Sequence, residues 1–343
     1  MRFIHVGVGG FGNIWVRVLK ENQDAQVVGL VDVNAEALRK ACAIGGYAQD
    51  ICFPSLEDAL RHVPAEAVVT STPPACHKHD VVTALEAGLH AISEKPMADN
   101  LADCKAMLRA AEKARRLFVV SQNYRYSPPM WTLANLVQSG KLGAIGQVKL
   151  DFFMGVDFGG GFRHTMPFPV IIDMSIHHFD LIRFVTGLDA VRVSGAAWNP
   201  PWSNYRGDCS STALFEMNNG ARVLYNASWC AKGTYCDWNG NWQIECAKGT
   251  VTYQYGEIRH HHVPDLYKVE KTEILPHTAP PLTGQHYVLD EFIRCAQTRQ
   301  QPGTAARDNI RSVGMVFAAV KAMETGRKVD VLDKATLALL KKR

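Results

Sequence analysis

The feature that most constrains this chain stands at its start. A short apolar run, Arg2 to Val8, meets Gly7-Val8-Gly9-Gly10-Phe11-Gly12, and the chain passes at once into a helix-spaced segment, Gly12 to Glu21, apolar at Ile14, Val18 and Leu19. Gly7, Gly9 and Gly12 fit G-x-G-x-x-G. In isolation that pattern is a common turn. Between a strand and a helix each glycine has a physical reason: Gly7 allows a tight turn, Gly9 lets a pyrophosphate approach the backbone, and Gly12 lets the helix pack closely on the strand. The helix N-terminus adds N–H donors and partial positive charge. The next apolar run, Gln26 to Val31, ends at Asp32, 20 residues after Gly12. A carboxylate there can accept from a ribose 2′-hydroxyl. We therefore expect a dinucleotide cradle made by Gly7, Gly9, Gly10, Phe11, Gly12 and Asp32. Asp32 repels a 2′-phosphate, which favours NAD, and nearby Arg39 and Lys40 keep NADP open.

The alternation continues. Asn34 can cap a helix carrying Ala37, Leu38 and Ala41, and Ser55-Leu56-Glu57-Asp58 opens another. Ala67 to Thr70 is a strand that stops before Pro73-Pro74, and a helix from Ala75 to Glu86 ends at Gly88. His90 to Glu94, Asn100 to Arg115 and Leu117 to Ser121 then read as strand, helix and strand. Such alternation predicts an α/β fold with a doubly wound parallel sheet, the Rossmann arrangement, over residues 1–122. Past Gln122 the pattern changes. One helix, Met130 to Gln138, follows Pro128-Pro129, and another spans Val170 to Thr186. Longer strand-like segments cover Val191 to Trp198, Thr212 to Met217, Val223 to Ser228, Asn241 to Cys246 and Thr250 to Tyr255. Asn218-Asn219-Gly220 is a hairpin turn between two of them. Helices from His286 to Thr298 and Arg307 to Thr325 close the chain. Residues 123–343 are expected to form an α+β domain on a largely antiparallel open sheet.

Composition narrows the function classes. Apolar residues are 47% and charged residues 20%, so the chain can build a core. Its 37 Lys+Arg against 33 Asp+Glu leave +4, too small an excess for a nucleic-acid or membrane-surface protein. No apolar run reaches the roughly 18 residues of a membrane span. The N-terminus has no signal-peptide anatomy. Nine cysteines without a Cys-x-x-Cys pair read as free buried thiols in a reducing cytoplasm. His260-His261-His262 is not read as a metal site, because neighbours on a strand alternate faces; no metal is expected.

Two further segments carry chemistry. Ser93-Glu94-Lys95-Pro96-Met97 follows a strand directly, and ligands of open α/β sheets bind beyond the carboxyl ends of strands. An ammonium at Lys95 can hydrogen-bond a reacting oxygen and stabilise developing alkoxide charge; the alternative is a surface lysine paired with Glu94. In the second segment, at about 100° per residue, Asp173, His177 and Asp180 share one helix face. Three polar groups on an apolar helix make poor core residues unless they meet a polar cleft. His177 can take a proton near neutral pH, and Asp173 can fix its tautomer or contact a substrate. His178 points away and reads as structural, or reaches the site only from its edge. Arg163 and His164, just after Gly159-Gly160-Gly161, can contact substrate hydroxyls from a glycine loop. Trp198, Trp202, Tyr205, Trp229, Trp238 and Trp242 are candidates to stack on a sugar face, with core packing as the alternative for each.

Taken in order, these segments resemble the glucose–fructose oxidoreductase / inositol dehydrogenase (Gfo/Idh/MocA) family. The glycine fingerprint, Ser71-Thr72-Pro73-Pro74 followed by His77, Ala84 to Gly88 leading into Glu94-Lys95-Pro96, Asn123-Tyr124-Arg125-Tyr126-Ser127-Pro128 and D-x-x-x-H-x-x-D from Asp173 to Asp180 all match. Ser175 stands where many members have glycine. The resemblance implies an NAD(P)-binding Rossmann domain, a sheet-backed substrate domain, and final helices that partly return to the first domain. It implies Lys95, Asp173 and His177 as catalytic residues. Thr72, Pro73, His77, Glu94 and Lys95 would join the cofactor site, and Lys95, Tyr124, Arg125, Arg163, His164, Asp173 and His177 the substrate site. The expected reaction is reversible oxidation of a secondary alcohol of a sugar, glycoside, inositol or related polyol. A glycosidase-type hydrolase that recycles bound NAD, and a non-catalytic NAD-binding regulator, are the alternatives. A small-molecule substrate and a homo-oligomer formed through the open sheet are the expected partners.

Overall fold

Six short strands carry the apolar runs of the first third of the chain: β1 (Arg2–Val6), β2 (Gln26–Val31), β3 (Cys52–Phe53), β4 (Ala67–Thr70), β5 (His90–Ser93) and β6 (Phe118–Val120). Between them run α1 (Gly12–Glu21), α2 (Ala35–Gly45), α3 (Leu56–His62), α4 (Pro74–Glu86) and α5 (Leu101–Ala114). The structure, a computed structural model, describes residues 1–341. The strands pair in parallel in the order β3-β2-β1-β4-β5-β6. In this doubly wound order the winding reverses between β1 and β4, and the loops after those strands form the crevice where such sheets bind ligands. β4 is buried at every position, as a strand covered on both faces must be.

Local chemistry starts the helices. Asn34 accepts from Glu36 N (2.9 Å) and Ala37 N (3.4 Å) at α2, Ser55 from Asp58 N (3.1 Å) at α3, and Asn100 from Asp103 N (2.9 Å) at α5. Each such cap stabilises by about 1 kcal/mol. α1 and α4 differ: no side chain caps either helix and no acid stands in either first turn.

A second unit begins at Tyr124. It contains α6 (Pro128–Gln138), β7 (Ile145–Gly155), the short α7 (Phe162–Thr165), a π-helical turn (Val170–Met174), α8 (Ser175–Thr186), β8 (Ala190–Trp198), β9 (Ser210–Met217), β10 (Arg222–Ser228), β11 (Cys230–Thr234), β12 (Asn241–Cys246), β13 (Gly249–Gln254), β14 (Glu257–His262) and β15 (Lys271–Leu275). Its sheet runs β15-β14-β13-β12-β7-β10-β9-β8-β16, with β16 at Val329–Asp330 and β11 added to β7. Every pairing is antiparallel except that of β10 with β7. Side chains alternate as a one-sided sheet requires: on β7, Val148, Leu150, Phe152 and Met154 are buried and Lys149 is exposed. The inner face packs on α8, where Phe179 meets Phe215 and Tyr225 edge-on, both at 4.9 Å.

The chain then returns. Leu282–Ile310 belongs to the first unit, and Arg311 onward to the second. In the first unit, α9 (Gly284–Thr298) places Phe292 beside Phe3 with ring centres 6.1 Å apart, and His286 beside Glu21 at 2.8 Å. α10 (Ala306–Thr325) and α11 (Lys334–Lys341) complete the helices. Among the described residues no helix is long and apolar enough to cross a membrane.

One expectation is corrected. Cys209 and Cys230 form a disulfide with Cα atoms 6.3 Å apart. The β9–β10 register, Ser210 opposite Ser228, carries Cys209 to the end of one strand beside the chain leaving the other; sequence separation alone holds no sign of this. The other cysteines are free, and of these Cys76 is exposed.

α8 is buried almost all round, so its polar residues need partners. Arg125, 5% exposed, donates from Nε and Nη2 to the two oxygens of Asp180, 1% exposed, at 2.5 and 2.6 Å. Ser312 Oγ on α10 donates to Asp180 Oδ1 at 2.8 Å and accepts from Arg183 Nη1 at 2.9 Å. Removing one member of such a pair leaves its partner's charge buried, at a cost of about 3–5 kcal/mol. Asp180→Ala is therefore expected to lower the unfolding free energy by that order in urea titrations, and a loss under about 1 kcal/mol would show the pair to be dispensable.

Candidate active site

The glycine loop lies between β1 and α1. Gly7 has φ +80°, and a Cβ there would lie 2.7 Å from Thr72 N. A Cβ on Gly12 would lie 2.0 Å from Gly7 O. The protein's own backbone therefore demands glycine at both positions. Gly9 differs, because the nearest atom to its Cβ would be Ala37 Cβ at an ordinary 3.4 Å. Gly10, at φ +48°, has nothing near a Cβ, and Phe11 is 48% exposed. Asp32 follows β2 directly; its Oδ2 accepts from Gly9 N at 3.2 Å and its Oδ1 from Asn34 N at 2.8 Å. The carboxylate thus props the loop from behind. Space that a Cβ on Gly9 would fill, over an uncapped helix start, fits a dinucleotide's phosphates.

The loop after β4 is tied to this turn. Ser71 Oγ donates to Gly7 O at 2.8 Å and accepts from His5 Nε2 at 2.9 Å. Burial lowers His5 to about 3, so its ring is neutral and the proton sits on Nε2. Thr70 and Thr72 hydroxyls both donate to Asp80 Oδ2, at 2.6 and 2.7 Å. His77 is fully buried, with Nε2 2.9 Å from Thr72 O and Nδ1 3.0 Å from Pro96 O. It bridges the loop after β4 to the cis peptide Lys95–Pro96. Glu94 accepts from Trp15 Nε1 at 2.7 Å and from Lys95 N at 3.2 Å. Burial raises its pKa, and the Trp15 hydrogen bond and the Lys95 charge oppose that rise. Lys95 is half-buried. The side chains of Thr72, His77 and Glu94 are thus engaged inside the unit and hold the shape of the two loops, while Pro73 stands at the start of α4. Asp80, Trp15 and His5, which hold them, carry no motif that singles them out.

The second unit brings together Tyr124, Asp173, His177 and Asp237. The ring of His177 lies on that of Tyr124, centres 4.1 Å apart and planes 15° apart. Burial, then the charges of Asp173 and Asp237, push the Tyr124 phenol up to about 12, so it remains a donor at neutral pH. Asp173 sits in the π turn and accepts from Arg163 Nε at 2.5 Å. Arg163 is held between the rings of Phe158 (4.8 Å) and Phe162 (4.7 Å). His164 stacks on Tyr205, planes 4° apart. Asp237 lies on the turn between β11 and β12, where Oδ1 accepts from Asn239 N at 2.8 Å and Oδ2 from the Tyr253 hydroxyl. Sequence reasoning missed Asp237, which no spacing connects to α8.

His178 is structural. Its Nε2 donates to Trp238 O at 3.0 Å, and its Nδ1 accepts from the Tyr225 hydroxyl at 2.8 Å. Burial lowers its pKa to about 4. Ser175 Oγ lies 2.7 Å from the same phenol oxygen and donates to Val170 O at 2.9 Å. Asp180 is likewise internal, and Arg125 is buried against it. Of the candidate stacking aromatics, Tyr205, Trp229 and Trp242 are buried, and Trp198, Trp202 and Trp238 are exposed.

Comparison with known proteins decides the family. Residues 1–122 match the model of the Gfo/Idh/MocA oxidoreductase family, NAD-binding Rossmann fold, and residues 130–252 match that of the GFO/IDH/MocA C-terminal domain. The chain belongs to this family. Among its relatives, D-apiose dehydrogenase of Paraburkholderia graminis is 24% identical over 95% of this chain and 88% of its own. Inositol 2-dehydrogenase of Rhizobium meliloti is 26% identical over 96% and 99%. Among solved structures, an oxidoreductase of Agrobacterium radiobacter in complex with NAD+, L-tartaric acid and magnesium superposes with a TM-score of 0.86, at 20% identity over 96% of this chain and 98% of the other.

As a Gfo/Idh/MocA member the chain is an NAD-binding oxidoreductase. The fingerprint glycines give a direct test, since of Gly7, Gly9 and Gly12 only Gly9 is unexplained by the protein's own packing. Gly12→Ala is expected to fail to fold or to melt far lower. Gly9→Ala should melt near the parent yet bind NADH at least ~10-fold more weakly, about 1.4 kcal/mol. Thermal unfolding and NADH fluorescence titration measure the two effects; undiminished NADH binding by Gly9→Ala would show that the loop is not the phosphate cradle.

Proposed function

We propose that this chain reversibly oxidises a secondary alcohol of a sugar, glycoside, inositol or related polyol to the ketone. The observation that carries the reading is the His177 constellation: an imidazole lying on Tyr124, on the helix that follows the Asp173 turn, with a second carboxylate, Asp237, close enough to bias the Tyr124 phenol. When bound, the nicotinamide supplies the hydride acceptor. His177 takes the hydroxyl proton as the carbinol becomes a carbonyl. The Lys95 ammonium donates to the same oxygen and steadies its developing charge. Asp173 orients His177 or a neighbouring hydroxyl, with Arg163 holding its carboxylate in place. Tyr124 donates to the substrate, while Arg163 and His164 flank it. Arg125 holds Asp180 and acts by positioning Tyr124 and α8.

At the cofactor end, Gly7 to Gly12 cradle the phosphates and Asp32 accepts from the adenosine ribose, so NAD is preferred over NADP. Thr72, Pro73, His77 and Glu94 act on the cofactor through the backbone they hold. The names of relatives that act on D-apiose and inositol support a polyhydroxylated substrate.

In assays of polyols, sugars and glycosides with NAD, Lys95→Ala and His177→Ala are expected to lower kcat at least ~100-fold while NADH affinity stays within about twofold. Parent-like turnover by His177→Ala would remove that residue as the base. Glycoside cleavage with no net change in reduced-nicotinamide absorbance would indicate a hydrolase instead. For assembly, the reading adds a homo-oligomer formed through the open face of the second sheet, where Leu214 and Ile274 are exposed. Light scattering after gel filtration should return a multiple of 37.9 kDa, and a monomer at micromolar concentration would refute this.

A further inference from the structure

The triple histidine acquires a different meaning once its strand is paired. β14 lies between β13 and the edge strand β15. In the β14–β15 register His260 stands opposite Glu273 and His262 opposite Lys271. Alternation sends His261 to the other face, where its ring nitrogens meet the Thr272 hydroxyl at 3.0 Å and the Thr252 hydroxyl at 3.2 Å. His260 and His262, two residues apart, share the face of Glu273, with ring centres 3.9 Å apart. One donor atom from each of His260, His262 and Glu273 lies within 4.8 Å of the other two. His262 Nε2 is already 3.0 Å from Glu273 Oε2. His260 Nε2 is shielded from solvent and has no hydrogen-bond partner among the described residues, a costly state for a polar atom.

We propose that His260, His262 and Glu273 form a binding site for a divalent transition ion, Zn2+ foremost. Two imidazoles and one carboxylate are a ligand set that Zn2+ takes, with the fourth tetrahedral position left for water. Bonds of about 2.1 Å put tetrahedral ligand atoms about 3.4 Å apart. His262 and Glu273, at 3.0 Å, lie within about half an ångström of that spacing, and His260, within 4.8 Å of both, reaches it by closing at most about 1.4 Å. Lys271 pairs with the other carboxylate oxygen, Oε1, so the ion takes Oε2 alone and the ion pair survives binding. The ion would staple β15, which among the described residues pairs only with β14, to the rest of the sheet across a loop whose Leu266 and Tyr267 are 88% and 93% exposed. The three residues lie outside the proposed active site, so the inference does not depend on the reaction assigned above.

The test uses the full-length, untagged chain, stripped with EDTA, dialysed and titrated calorimetrically with ZnCl2. One ion per chain is expected. His260→Ala and His262→Ala should each weaken binding at least ~10-fold, and Glu273→Gln, which keeps the side chain's shape, should weaken it as well. His261→Ala should bind as the parent does. Co2+ should give the intense ligand-field absorption of a tetrahedral site, lost in the same three variants. NADH binding should be unchanged throughout, which reports a folded chain. A parent that takes up no Zn2+, or variants that bind it as the parent does, would overturn the proposal.

Discussion

The two-pronged contact between Arg125 and Asp180 governs the geometry of the second unit's chemistry, although neither residue touches the reacting atoms in the proposed mechanism. Arg125 is next in sequence to Tyr124, and Asp180 lies three residues beyond His177. Two parallel charge-assisted hydrogen bonds fix a guanidinium in plane with a carboxylate, which a single bond does not. The fork therefore sets the junction segment against α8 in translation and rotation at once, and the Tyr124 ring comes to rest on the His177 ring. Ser312 extends the lock to α10, and Arg183 is tied to the same hydroxyl. A buried pair of this kind contributes little net stability over a well-packed apolar substitute. Its value lies in specifying one arrangement, and in catalysis a misplacement of about 1 Å can cost ~100-fold in rate.

The first unit reaches comparable order with glycine and neutral hydrogen bonds. Gly7 and Gly12 let two loops and a helix approach to distances that any side chain would prevent. Ser71 and His5 then pin the turn from inside, and Asp32 braces Gly9 from beneath. The helices with side-chain caps, α2, α3 and α5, carry acids in their first turns, whereas α1 and α4 carry neither a cap nor an acid, and of these two α1 follows the glycine loop. Each capped helix has its positive end answered by the protein. The positive end of α1 remains for an anion, beside the one glycine of the fingerprint that internal packing does not require.

What could be read from the residues divides along the same line. The Rossmann order, the α1 turn and five strands of the second sheet, β8, β9, β10, β12 and β13, follow from local patterns, because apolar period, caps and turn glycines act within a few residues of one another. Thr72, His77 and Glu94 were legible as members of the site's motifs but not as inward-facing props, since their partners Asp80, Pro96 and Trp15 come from other elements. His178 could be set aside on a helical wheel, yet its anchors, Tyr225 and Trp238, exist only after the sheet has formed. β14 and β15 escaped detection because polar and charged residues interrupt their alternation, and the Cys209–Cys230 bond depends on the β9–β10 register. The face alternation that argued against three histidines sharing an ion is correct for His261 and leaves the other two side by side.

Asp173 shows where helical periodicity itself gives out. A uniform 100° per residue puts it on one stripe with His177 and Asp180, but Val170–Met174 is a wider π turn, and such turns displace side chains relative to the helix that follows. In its actual position Asp173 meets Arg163, whose guanidinium is confined by two phenyl rings. The carboxylate keeps its charge opposed while still acting on Tyr124. Tyr124, with its phenol raised to about 12, stays protonated, and Asp237 is oriented by Asn239 and Tyr253. The proposed site thus combines fixed acceptors, Asp173 and Asp237, with fixed donors, Tyr124 and Arg163, around one imidazole. Because Asp173 is paired with Arg163, and Asp237 with Asn239 and Tyr253, the protein itself fixes the orientation of these groups, as a preorganised site requires.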